Sequence, residues 1–183
     1  LWGEHNVSNL MASASLAASV GMAAEDIWKG MENCRAAWGR NQWIELKSGH
    51  SLLFDGYNAN PDSFQVLLEN LDRSFSGKQI IAVFGEMLEQ GDGAEEAHIM
   101  LGKEAAASCI THCFFIGASE KAFQEGFESL DRNDKKLVIS DVYKDSLALE
   151  IESMLVNDVL VVVKGSRGGA LERVVKDLAP INF

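Results

Sequence analysis

The sequence predicts an α/β protein with a doubly wound, mostly parallel, Rossmann-like sheet that carries helices on both faces. From residue 40 onward, apolar runs of strand length alternate with segments of helical periodicity, the pattern of a parallel sheet with crossover helices. Two runs, at residues 80–84 and 159–163, are apolar throughout, as strands covered on both faces by helices require. In addition, the helix-start signal NPD at residues 60–62 closely follows an apolar run.

The predicted elements follow in chain order. Two helices come first, over residues 5–20 and 24–33, and the second is predicted to face inward with Ile27, Trp28 and Met31. Strands are predicted at residues 41–46, 51–55, 79–84, 113–116, 136–139 and 159–163. Helices are predicted at residues 61–74, 94–108, 120–129, 143–155 and 169–178. The first two strands are close enough in sequence to form an antiparallel hairpin at one side of the sheet.

Composition and charge exclude several classes of protein. The 183 residues carry a net charge of -11, which disfavours binding to a nucleic-acid backbone. The three cysteines form no C-x-x-C pair, which indicates reduced thiols in a cytoplasmic setting. No apolar run reaches the roughly 18 residues of a membrane span. A small anionic ligand remains compatible with this composition, because a few local cations can hold one.

The loop after the second strand is a candidate nucleotide contact. In doubly wound sheets, ligands bind outside the carboxyl ends of the strands, where a carboxylate commonly accepts hydrogen bonds from ribose. Asp55 has that position, and Asn58 follows it. Residues 60–62 of the same loop are explained by helix capping alone. The alternative interpretation of this loop is therefore simply the start of a helix.

Two further strand-end loops carry charge. Residues 164–169 combine glycines with Lys164 and Arg167, which predicts an anion site at the start of the following helix, or else a flexible loop with solvated cations. Residues 85–91 carry two carboxylates that suit a cation or an amine, although acidic surface loops are common. His98 and His112 lack metal-ligand spacing, so no metal site is predicted. The sequence also contains no G-x-x-x-x-G-K-[ST], H-E-x-x-H or G-x-S-x-G motif, so the catalytic set is incomplete.

Five ordered segments resemble the signatures of the Mur ligases, the ATP-dependent amide-bond-forming enzymes of peptidoglycan precursor synthesis. They are GEHNVSNLMA at residues 3–12, GR at 39–40, DGYNANP at 55–61, GEMLEQG at 85–91 and KGSR at 164–167. Gly56 and Glu86 stand where the family usually has Ser and Asp. The YNANP and KGSR segments are most similar to the branch that adds D-alanyl-D-alanine to UDP-N-acetylmuramoyl-tripeptide.

The resemblance implies a role for each matching residue. Nucleotide contacts are expected from His5, Asn6, Asn9, Arg40 and Asp55. Contacts to the incoming dipeptide are expected from Asn58, Asn60, Lys164, Ser166 and Arg167. The expected reaction uses ATP to convert a carboxylate into an acyl phosphate, which the amine of the dipeptide then attacks. Magnesium is expected as the cofactor, with its ligands and the phosphate-binding loop outside this chain.

The resemblance also implies a domain organisation. Residues 1–37 are expected to be the closing helices of a central ATP-binding domain, and residues 38–183 the C-terminal domain of the family. Residues 36–39 are the expected hinge between them. Because the family's phosphate-binding loop is absent, the chain is expected to be a piece of a longer protein, inactive alone, whose remaining domains are its partners.

Three alternatives remain open. One is a sister ligase that adds a different amino acid, or a folylpolyglutamate synthetase, although the D-N-P-R motif of two sister ligases is absent. Another is a non-catalytic nucleotide-binding module, which a Gly-rich fingerprint after the first strand would support. The third is a pure interaction domain, which predicts an exposed apolar patch without a cleft of ligand size.

Overall fold

The computed structural model describes residues 2–179, apart from the side chains of Glu4 and His5. The described strands are β1 (Gln42–Glu45), β2 (Ser51–Asp55), β3 (Gln79–Gly85), β4 (His112–Ile116), β5 (Lys136–Ser140) and β6 (Val159–Lys164). The described helices are α1 (Glu4–Ser19), α2 (Ala24–Glu32), α3 (Pro61–Phe75), α4 (Ala94–Ala107), α5 (Glu120–Glu128), α6 (Asp145–Met154) and α7 (Glu172–Leu178).

All six described strands form one sheet in the order β1-β2-β6-β3-β4-β5. β1 pairs antiparallel with β2, and every other neighbouring pair is parallel. This confirms the mostly parallel sheet with a hairpin at one side. Because β6 inserts between β2 and β3, residues 164–167 emerge between the loops that follow those two strands. The register also places Asp55 directly beside Lys164.

Helices cover both faces of the sheet, as predicted. One buried apolar cluster joins α3, α4 and α5 to alternate residues of the central strands, including Leu53, Phe84 and Val162. A second cluster joins α6 and α7 to the residues that point the other way, such as Val83 and Val161. Each central strand therefore has apolar side chains on both faces, which explains its uninterrupted hydrophobic sequence.

The first two helices are less buried than their sequence predicts. Trp28, predicted to face inward, is 63% exposed and donates its indole N–H to Glu32. No residue of α2 is buried, and α1 and α2 line a shallow apolar groove of about 200 Å³ between them. Ile27 and Met31 line that groove, so two of the three predicted inward residues do face it. Within residues 2–179, no helix has both the length and the apolarity to cross a membrane.

The final helix begins later than the sequence predicts. A helix was expected from residue 169, but the chain instead makes a 3-10 turn at Arg167–Gly169. Ala170 then adopts the left-handed conformation with a φ of 52°, which stops the turn from continuing into the helix. The helix α7 begins at Glu172, so residues 164–169 do not form its amino terminus, and the anion site predicted for this loop stays a prediction.

Candidate functional site

A polar cleft lies at the carboxyl ends of β2 and β6 and faces the first turns of α1. Its volume is about 350 Å³. Seven of the ten predicted site residues line it: Asn6, Asn9, Arg40, Asp55, Asn58, Asn60 and Lys164. The cleft also includes Arg35, Asn41 and Ser63, which the sequence did not single out. The structure thus gathers residues that are up to 158 positions apart in the chain.

Asp55 and Lys164 form a buried ion pair on the floor of this cleft. Lys164 Nζ lies 2.6 Å from Asp55 Oδ2, and the two side chains are 1% and 16% exposed. The ammonium group also donates to the carbonyl oxygen of Asn58 at 3.3 Å. The second carboxylate oxygen accepts the backbone N–H of Asn41 at 3.1 Å. Lys164 therefore holds the loop after β2 in place through its contacts with Asp55 and Asn58.

Burial has an electrostatic consequence for this pair. Desolvation is the largest influence on the Lys164 ammonium, and it lowers the pKa of that group below its ordinary value. The neighbouring Asp55 opposes this shift, whereas Arg40 adds to it. Since Lys164 already donates to Asp55 and Asn58, its predicted contact with a substrate carboxylate stays a prediction.

Arg40 reaches the cleft from the segment that joins α2 to β1. Its guanidinium carbon lies 4.1 Å from the centre of the Tyr57 ring. The backbone here is held close to the β2 loop, because Tyr57 N donates to Gly39 O at 3.0 Å. Gly39 has a φ of 68°, and a Cβ at this position would lie 3.2 Å from Tyr57 N, so glycine suits both requirements. Arg40 thus presents a supported cation to the cleft.

The amides of the cleft come from two elements. Asn6 and Asn9 lie one turn apart on α1, and Asn6 donates to Trp2 O at 2.6 Å. Asn60 caps α3, where its side chain accepts from Ser63 N at 2.8 Å and Ser63 reciprocates. This confirms the helix start predicted there. The side chain of His5 lies outside the described part of the chain, so its nucleotide contact stays a prediction.

Ser166 and Arg167 have different positions from the rest of the predicted set. The Ser166 side chain is 5% exposed and accepts the backbone N–H of Leu88 at 3.0 Å, while its own N–H donates to Glu86 O. It therefore ties residues 164–169 to residues 85–91 rather than lining the cleft. Arg167 is exposed, and its guanidinium carbon is 5.9 Å from the Tyr57 ring centre.

Replacing Ser166 with alanine is expected to lower the free energy of unfolding by about 1 kcal/mol, because the backbone N–H of Leu88 loses the acceptor that the buried Ser166 hydroxyl provides. Urea denaturation of the two proteins measures the loss. The matched control is Ser153→Ala, since Ser153 is exposed and bonds only within its own helix. Equal effects of the two substitutions would contradict the role of Ser166 as a tie between loops.

Glu86 of the acidic loop and His98 of α4 form hydrogen bonds within the protein. Glu86 accepts both the N–H and the hydroxyl of Ser119 at 2.8 Å, so this carboxylate is engaged within the protein. His98 is buried, and its Nε2 accepts from Met87 N at 3.0 Å while Nδ1 donates to Ala94 O. Among residues 2–179, no three His, Cys, Asp or Glu side chains are grouped to hold a metal ion.

Comparison with known proteins agrees with this geometry. Residues 39–167 match the family described as Mur ligase, glutamate ligase domain. The UDP-N-acetylmuramoyl-tripeptide–D-alanyl-D-alanine ligase of Bacillus subtilis is 34% identical over 178 residues, which are 96% of this chain and 38% of that protein. The chain therefore spans less than two fifths of this curated relative.

Solved structures give the same result. Crystal structure II of MurF from Acinetobacter baumannii superposes with a TM-score of 0.83 at 29% identity, over 96% of this chain and 38% of that one. The MurF ligase of Thermotoga maritima, in complex with ADP, gives a TM-score of 0.76 at 26% identity and the same coverage. Folylpolyglutamate synthase from Thermotoga maritima shares only the fold, at 16% identity. Sequence motifs, sheet topology and the match over residues 39–167 agree, and the chain belongs to the Mur ligase family.

Proposed function

We propose that this chain is part of an ATP-dependent ligase that adds D-alanyl-D-alanine to UDP-N-acetylmuramoyl-tripeptide in peptidoglycan precursor synthesis. One observation supports this more than any other. The cleft brings the side-chain amides of Asn6 and Asn9 on α1 together with Arg40, Asp55 and Lys164 at the carboxyl ends of two neighbouring parallel strands. The names of the relatives supply the substrates.

In the proposed reaction, the nucleotide side of the cleft uses Asn6, Asn9, Arg40 and Asp55. The amides of α1 supply donors and acceptors for a base, and Arg40 supplies a cation for ribose or phosphate oxygens. Asp55 Oδ1 retains a lone pair beyond its bond from Asn41 N, which suits a ribose hydroxyl donor. The ion pair with Lys164 fixes the orientation of this carboxylate.

The dipeptide side uses the loop residues that surround the same floor. Asn58 and Asn60 line the cleft, and Arg167 is the exposed cation available for the terminal carboxylate of D-alanyl-D-alanine. Ser166 supports this side by holding its loop in place. Holding the amine beside an acyl phosphate converts a two-molecule encounter into an oriented one, which lowers the entropic part of the barrier.

Magnesium does not fit the residues described here. Asp55 is the single described carboxylate that lines the cleft, and it is ion-paired with Lys164. Divalent magnesium prefers several oxygen ligands, which this set does not supply. In our proposal, residues 1–37 belong to a central ATP-binding domain, residues 38–183 form the C-terminal domain, and residues 36–39 are the hinge. We also propose that the protein is cytoplasmic, because the proposed reaction uses ATP.

The test is phosphate release by the full-length ligase that contains this chain. We expect release that requires ATP, UDP-N-acetylmuramoyl-tripeptide and D-alanyl-D-alanine together, and no turnover by the 183-residue chain alone. Lysine or diaminopimelate supplied with UDP-N-acetylmuramoyl-dipeptide tests the sister ligases, and glutamate supplied with folate tests the folylpolyglutamate synthetase. Turnover with one of those amino acids but not with the dipeptide would replace the proposal.

Two substitutions assign the two sides of the cleft. Arg40→Gln is expected to raise the KM for ATP, and Arg167→Gln the KM for D-alanyl-D-alanine, each by about tenfold or more, because each removes a charged hydrogen-bond donor. The matched control is Arg132→Gln, since Arg132 pairs with Asp134 away from the cleft. Unchanged KM values in both cleft variants would contradict the assignment.

A further inference from the structure

Tyr57 contacts both arginines of the proposed cleft. The guanidinium carbon of Arg40 lies 4.1 Å from the ring centre, and that of Arg167 lies 5.9 Å from it. Both distances are within the range in which the electron-rich face of an aromatic ring attracts a cation. The ring is 43% exposed, so it is available at the surface of the site rather than committed to the core.

The two arginines come from separate parts of the chain. Arg40 follows the segment after α2, whereas Arg167 follows β6. Within the described part of the chain, neither guanidinium group forms an ion pair with a carboxylate. Two guanidinium groups near each other repel, and each long side chain has many rotamers. The shared Tyr57 ring offsets the repulsion because it attracts each cation. It also limits the orientations that each arginine side chain adopts before a ligand binds.

The backbone of Tyr57 adds a second connection to Arg40. Its N–H donates to Gly39 O at 3.0 Å, immediately before Arg40 in the chain. The left-handed conformation of Gly39 lets the two backbones approach this closely. Tyr57 therefore holds Arg40 through both its ring and its main chain, and holds Arg167 through its ring.

We propose that Tyr57 is a positioning residue that supports Arg40 on the nucleotide side and Arg167 on the dipeptide side at the same time. The inference rests on the proposed function, and it adds a physical connection between the two substrate sites. Its consequence is that one aromatic ring affects the apparent affinities for two chemically different anionic substrates. Tyr57 belongs to the YNANP segment, but helix capping there uses Asn60 and Ser63 and requires no ring.

The test compares three variants of the full-length ligase. Tyr57→Leu is expected to raise the KM for ATP and the KM for D-alanyl-D-alanine by about threefold to fivefold each, because each arginine loses one exposed cation–π contact. The value of kcat is expected to change less than either KM. Tyr57→Phe keeps the ring and restores both KM values. Tyr143→Leu is the matched control, because Arg173 lies over that ring at 4.7 Å outside the cleft.

The outcomes separate this inference from the proposed function. A Tyr57→Leu variant that changes neither KM, or only one, overturns the shared support, and so does a Tyr57→Phe variant that fails to restore them. If the wild-type ligase does not use D-alanyl-D-alanine, the proposed function fails. The support is then tested in the 183-residue chain by NMR of the arginine Nε–H groups. Tyr57→Leu must shift the resonances of both Arg40 and Arg167 by removing the ring current, and an unshifted resonance of either overturns the inference.

Discussion

Replacing Lys164 with methionine is expected to lower the free energy of unfolding by about 3 kcal/mol. The substitution keeps most of the side-chain volume but leaves Asp55 on the cleft floor without its counter-charge. The carboxylate is only 16% exposed, so water replaces the lost partner poorly. The carbonyl oxygen of Asn58 loses a donor as well. Urea denaturation of the 183-residue chain measures the effect.

A double variant distinguishes the effect of the lost ion pair from the effect of changed side-chain packing. In the double variant Asp55→Asn with Lys164→Met, no buried charge is left alone, so much of the lost stability is expected to return. The matched control is Lys78→Met, which breaks an ion pair with Asp158 whose side chains are 41% and 73% exposed. That control is expected to cost less than about 1 kcal/mol. Equal losses in Lys164→Met and Lys78→Met would contradict the role of burial.

The same pair gives a pH dependence with a definite sign. Burial lowers the pKa of Lys164, and Asp55 raises it in opposition. Between the lowered pKa and the ordinary lysine value, the unfolded chain binds more protons than the folded chain, so stability rises with pH in that window. Asp55→Asn removes the opposing influence and extends the window to lower pH. We therefore expect this variant to gain more stability than the wild type between about pH 7 and about pH 10. A smaller gain would contradict the assignment.

Most of the fold could be predicted because its signals are local. Continuous apolar runs such as residues 159–163 identify strands covered on both faces, and the cap at Asn60 identifies the start of α3. The strand-end rule then predicts which loops form the cleft. The predicted start of α7 was wrong because a left-handed alanine at position 170 has no local sequence signal, unlike a glycine in the same place.

The internal geometry of the site could not be predicted in the same way. Lys164 and Asp55 pair because β6 inserts beside β2 with these residues in register, and strand order is not encoded in either segment alone. The alternation of side chains then points both toward the face that α3 covers. The Lys164 ammonium group consequently lies 5.1 Å from the ring centre of Phe64. Tyr57 lies in the YNANP segment, but its role was missed because its contacts with Arg40 and Arg167 become visible only in the folded structure.

Replacing Gly126 with alanine is expected to lower the free energy of unfolding by about 3 kcal/mol, near the upper end for overpacking. Helices α4 and α5 approach so closely that a Cβ at Gly126 would lie 1.8 Å from the carbonyl oxygen of Ile99. The reverse contact is equally tight, since a Cβ at Gly102 would lie 2.1 Å from Phe123 O. Both obstacles are backbone atoms in helices, which cannot rotate away as a side chain does. One added methyl group must therefore separate the two helices, or shift α5 on the sheet.

The control is the same glycine-to-alanine substitution at another helical glycine, where the free energy of unfolding is expected to rise instead of fall. Gly30 lies within α2, and no atom lies within 4 Å of a Cβ built there. Gly30→Ala is expected to stabilise by about 0.5–1 kcal/mol, because alanine loses less backbone entropy in a helix and meets no obstacle. Thermal and urea denaturation of both variants compare them directly. Stabilisation by Gly126→Ala would mean that α4 and α5 lie further apart than the structure has them, because the sign of the change depends only on that separation.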